Sequence, residues 1–184
     1  MDVRRLCSWE GYAAGMLTFA EAHAPAALPA PDQAEVTRLL ALGTPGVIVP
    51  PAFEEAFYRG GNLPEQLRHL FARVRPARID EDALEPLAAQ AQALIRTTCL
   101  MDDAVQAFYR TLARADLPAG GVVRARRSGD AHGEDAVFLT PGTAALQAMK
   151  RVWAQDWTFD AVLGRLDSAG SVALEARSTL LHPA

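Results

Sequence analysis

Lysine is almost missing from this chain. Of 18 basic residues in 184, Lys150 is the sole lysine and the rest are arginines. Schiff-base chemistry, or a lysine grip on phosphate, therefore has one possible carrier. Other oxyanion recognition falls to guanidinium groups, which bind as planar forks. Cysteine is scarce too: Cys7 and Cys99 lie far apart and form no CxxC, which argues against a disulfide framework and a zinc site. The four histidines, His23, His69, His132 and His182, are scattered, without HExxH or a helical i,i+4 pair. No GxSxG is present, so a serine nucleophile system has no support. No apolar run approaches a membrane span. Glu10 and Glu21 interrupt the stretch that a signal peptide would need after Arg4 and Arg5. The expectation is a cytoplasmic protein with no membrane partner. A net charge of −4 also argues against a general nucleic-acid binder.

What is present suits a globular chain. Half of the residues are apolar, 22% are charged and the mean hydropathy is +0.02. The length fits one domain, residues 1–184, read as a helical lead-in (1–44), a helical part (45–118) and a sheet-forming part (119–184). Alanine occurs 36 times, which favours closely packed helices.

Tyr12, Leu17 and Phe19 suggest an opening helix that the Ala/Pro stretch 24–31 ends. Asp32 is placed to cap a short helix through Val36, Leu39 and Leu40 to Gly43. Val47-Ile48-Val49 reads as a strand stopped by Pro50-Pro51. Three helical stretches follow, marked by Phe53, Phe57 and Tyr58, by Leu63 to Val74, and by Leu84 to Ile95 with Asp82 and Glu85 as its cap. A further helix runs from Asp102 to Leu112. After Gly120-Gly121 the pattern turns to strands: residues 121–126 and 136–139 with a polar connection, a hairpin. Thr140-Pro141 reads as an N-cap and N1 proline before a helix with Leu146, Met149, Val152 and Trp153 on one face. Phe159 to Leu166 extends the helical part, and alternation from Val172 to Leu180 predicts a last strand. The expected fold class is α/β (α+β): a helix-rich domain with a small, mainly antiparallel sheet.

These pieces together resemble the N-terminal nucleotide-binding domain of the phosphoenolpyruvate synthase, pyruvate phosphate dikinase and rifampicin phosphotransferase family. Gly46-Val47-Ile48-Val49-Pro50-Pro51-Ala52-Phe53 is similar to its G-V/L-x-V-P-x-G-F segment. Val123-Arg124-Ala125-Arg126-Arg127-Ser128-Gly129 resembles its V-R-S-S/G strand end. Phe138-Leu139 and Lys150-Arg151-Val152-Trp153-Ala154 look like its F-L-N-V and K-R-V-W-A run. The resemblance covers most of residues 45–184 and implies the first lobe of an ATP-grasp domain.

By that resemblance Arg127 stands where the family grips ATP phosphates, with Ser128, Gly129 and Arg124 as neighbouring contacts and ATP with Mg²⁺ as the cofactor. The chain also departs from the family. An ungapped reading puts Trp9 where G-G-K has its lysine, and residues 128–136 form a shorter, acidic loop. The second lobe, which carries the metal-binding Glu and Gln, has no counterpart here. Three readings follow. The chain is a stand-alone, non-catalytic lobe homologue acting through a protein partner or a homo-oligomer. Or it is a nucleotide-binding module, or half of a split phosphotransferase, with Arg127 on phosphate. Or it uses Arg124, Arg126 and Arg127 on nucleic acid. Elsewhere, Cys99 follows an apolar stripe and is expected in the core, His132 is expected in solvent, and Trp153, Trp157 and Phe159 are expected in the core.

Overall fold

The computed structural model describes residues 15–22 and 28–184. A two-residue strand, β1 (Leu17–Thr18), runs into a single helical turn, α1 (Phe19–Ala22). Helix α2 (Ala30–Ala41) follows, entered through prolines whose missing N–H would be unpaired there anyway. The β-branched run forms β2 (Val47–Val49), and Pro50-Pro51 both stops it and opens α3 (Pro51–Gly60). Then come α4 (Leu63–Leu70), α5 (Glu81–Thr97) and α6 (Asp102–Ala113). The hairpin strands β3 (Val122–Arg127) and β4 (Glu134–Val137) lead to α7 (Thr143–Gln155), α8 (Phe159–Ala169) and β5 (Thr179–Pro183).

The fold is mixed α/β, as the sequence predicts: the described residues form eight helices and one sheet of order β1-β2-β5-β3-β4, antiparallel at every pair. Alternate residues of each strand face opposite sides. Val47, Val49, Leu181, Val123 and Ala125 enter the larger core with Phe53, Phe57, Met149 and Trp153. Ile48 and Leu180 enter a smaller one with Phe19, Val36 and Leu39 of α1 and α2. Burying each large apolar side chain stabilises the fold by about 1.5–3 kcal/mol, so the central strands are held from both faces. At the hairpin, a Cβ on Gly133 would collide with the Ala125 carbonyl, so a side chain there would push the turn off β3.

Several local expectations are corrected. Leu17 lies in β1 and not in an opening helix, while residues 1–14 and 23–27 of that prediction lie outside the described residues. Asp32 does not cap α2. It sits inside the first turn, is buried, and accepts a hydrogen bond from Ser178 Oγ at 2.6 Å. The cap of α5 is Asp80, which accepts from the Ala83 amide at 3.2 Å, and not Asp82. Helix α7 starts two residues beyond Pro141, with Gly142 at φ +111° as its N-cap. The second hairpin strand ends at Val137. The final ladder begins only at Thr179: residues 171–178 are alternately exposed, yet join no strand. Cys99, expected in the core, is exposed, because it follows the end of α5 instead of lying on its inner face.

Candidate functional site

Arg124, Arg126 and Arg127 share one strand, and the pleat divides them. Arg124 and Arg126 face the side that α2 partly covers; Arg127 points to the opposite side, into the larger core.

Arg127 is 3% exposed and meets two carboxylates there. Its Nη1 and Nη2 donate to Glu54 Oε2 and Oε1, each at 2.7 Å, a bidentate pair. Nε donates to Asp156 Oδ2 at 3.1 Å, and Nη2 reaches the same oxygen. Nη1 also meets the Arg177 carbonyl at 2.8 Å and Thr179 Oγ1 at 3.2 Å. A guanidinium has five N–H donors, and this one has no donor to spare. Burial works against its charge, but the hydrogen bonds and negative charges of Glu54 and Asp156 together outweigh it and raise the Arg127 pKa, so the group stays a cation. Burial pushes the Glu54 carboxyl up, against the pull of Arg127. Glu54 comes from α3, Asp156 from the end of α7 and Thr179 from β5, so the hub ties three elements to β3.

On the other face Arg126 is equally engaged. Its Nε donates to His182 Nε2 at 2.9 Å, Nη1 to the Asp130 carbonyl at 3.0 Å, and Nη2 pairs with Glu35 Oε1 at 2.6 Å. Since His182 Nε2 accepts, its proton lies on Nδ1, 2.6 Å from the Pro183 carbonyl. Burial, with Arg126 and Arg124 nearby, holds the His182 pKa below its ordinary value. The other oxygen of Glu35 accepts from the Gly129 amide at 2.5 Å and from Ser128 Oγ at 3.3 Å. Burial raises the Glu35 pKa, but Arg126 and the Gly129 amide overcome this and lower it. The turn in which Gly129 adopts φ +87° thus does grip an oxyanion, and that oxyanion is the protein's own carboxylate from α2. A cavity of about 390 Å³ lies beside it, lined by Arg38, Arg124, Arg126 and His182 among others. Arg124 forms a bidentate pair with Asp135 at 2.7 and 2.9 Å, near the surface.

The four residues singled out for phosphate are therefore all near one turn, but on two faces. Arg127 is paired with Glu54 and Asp156, Ser128 and Gly129 with Glu35, and Arg124 with Asp135. Mg-ATP, which the resemblance implies, does not fit this arrangement without displacing those carboxylates. Among the described residues, no group of three or more His, Cys, Asp or Glu could hold a metal ion. Lys150 is used structurally: its Nζ donates to the Arg96 and Thr98 carbonyls at 2.7 and 2.6 Å, closing the end of α5. His132 is exposed, and Trp153 and Trp157 are in the core.

Sequence reasoning missed Glu35, Glu54 and Asp156. Glu54 alone left a signal, a carboxylate beside Phe53 and Phe57 on a helix whose face is otherwise apolar. No helix among the described residues is long and apolar enough to cross a membrane. Comparison with known protein families and with curated proteins gives no match.

Proposed function

We propose that this protein is a non-catalytic relative of the first lobe of the dikinase-type ATP-grasp domain and acts through protein contacts. The observation that carries the reading is the pairing of Arg127 with Glu54 and Asp156, which leaves no N–H of the expected phosphate anchor free. Val122, Val137 and Leu139 add support. They are exposed apolar residues at and beside the edge strand β4, where a partner would cover them.

Retained Mg-ATP binding is the second reading, and the anion-gripping turn at Ser128-Gly129 favours it. It requires Glu35 to leave the turn and Glu54 to release Arg127. Nucleic-acid binding draws less support, because Arg124, Arg126 and Arg127 each already hold a carboxylate. Thermal unfolding with millimolar Mg-ATP distinguishes the first two readings. A ligand of the folded state raises the melting temperature by mass action. The expected outcome is no shift; a concentration-dependent rise supports the nucleotide module instead.

A further inference from the structure

Residues 171–178 connect the end of α8 to β5 with exposure that alternates from one residue to the next, without entering the sheet. Among the described residues, the amides of Val172, Leu174, Glu175 and Ala176 have no hydrogen-bond partner, and neither do the carbonyls of residues 172–176. The segment is fixed at its ends instead. Ala173 N–H meets Ser171 Oγ, while the Arg177 and Ser178 carbonyls accept from Arg127 and from the Ser128 amide. Side chains hold its middle: Val172 and Leu174 pack on the larger core, and Ala173 and Glu175 point outward. A strand-like backbone held by its side chains, with its own polar groups unmatched, is a template for an added strand.

A groove runs along this segment. Two cavities of about 440 and 370 Å³ lie between it and helices α3 and α4, and Tyr58, Pro64 and Leu174 line both, so they adjoin. The end at Leu67 and Trp157 is apolar. The other end carries Glu55 and Glu175 against Arg59, with Glu54 already neutralised by Arg127. The open backbone of residues 172–176 is about 17 Å long, the span of a short linear segment.

We propose that this groove takes an extended peptide segment of a partner protein, added as a strand along residues 172–176. An apolar side chain of the segment sits at the Trp157 end and a Lys or Arg side chain at the Glu55 and Glu175 end. Backbone pairing supplies the recognition that any sequence shares, and the two ends set preference. The inference rests on the reading that the protein works through protein contacts.

The test uses the full chain and two fluorescein-labelled heptapeptides, Thr-Leu-Thr-Trp-Thr-Arg-Thr and its reverse, which cover parallel and antiparallel pairing. Anisotropy should show saturable binding of one of them below millimolar concentration. Ala176→Pro removes an amide that has no partner in the free protein and that lies on the same edge as those of Val172 and Leu174. It should leave thermal melting unchanged and weaken binding about tenfold, as when one buried backbone group loses its partner. Glu175→Lys should weaken the arginine peptide severalfold and bind better when that arginine is replaced by glutamate. Amide exchange at Val172, Leu174 and Ala176 should be fast in the free chain and slowed by peptide. Binding of neither peptide, or binding indifferent to both substitutions, overturns the groove. That failure leaves the protein-contact reading standing, which falls only to nucleotide binding.

Discussion

Removing the Glu54 carboxylate would leave the buried Arg127 guanidinium beside Asp156 with one of its two carboxylate partners gone. Breaking a buried ion pair from one side costs about 3–5 kcal/mol, because the remaining charge stays buried. Glu54→Gln should therefore lower the urea unfolding free energy by about that amount, whereas a near-neutral result means that Arg127 is free for a ligand. His182 sets a second prediction. Its folded pKa lies below the ordinary 6.5, so its contribution to stability is complete above pH 6.5 and is lost as the pH falls through the depressed value. Glu35, also depressed, adds a loss in the same direction below its ordinary 4.5. Glu54, raised, opposes it, since its ionised form is the costly one as the pH rises. Urea melts should show stability falling from pH 7 to pH 5, and His182→Gln should flatten that slope. A slope unchanged by the substitution contradicts a neutral, accepting imidazole. At this scale the sequence was partly legible. The parity of positions 124, 126 and 127 already separates Arg127 from the other two on any strand. The carboxylate partners were not legible, because Glu54 and Arg127 are 73 residues apart and no local pattern links them.

Elements were easier to recognise than their ends. The β-branched run at β2, the amphipathic stripe of α5 and the glycine-bounded hairpin are local signals, and each became the element it suggested. Boundaries moved where a side chain made a choice that spacing could not foresee, as at Asp80. Asp80→Ala should cost about 0.5–2 kcal/mol in thermal or urea unfolding, and Asp82→Ala only a few tenths. Equal effects would contradict the observed cap. The segment from Val172 shows a different limit. Its alternation is real, since burial alternates along it. But a period of two reports half-burial against a neighbour, here helices and the larger core, and is silent about whether a ladder partner exists. The ladder belongs to Thr179–Pro183, where Leu180 and Leu181 face opposite cores.

Across the whole molecule, the mixed α/β class followed from composition and the order of patterns, while the site depended on folding. The antiparallel sheet brings α2, α3, α7 and β3 together at one hairpin end, and both of its faces are neutralised by the protein's own acids. An arginine-rich strand end thereby becomes a structural joint. The near-absence of lysine is consistent with this, since the Lys150 ammonium is spent on closing a helix. The central claim, that these arginines serve the fold and hold no nucleotide, is tested most directly by calorimetric titration of the full chain with Mg-ATP. The account predicts no heat of binding up to millimolar nucleotide. A micromolar isotherm that Arg127→Ala abolishes, in a variant that still melts cooperatively, would contradict it.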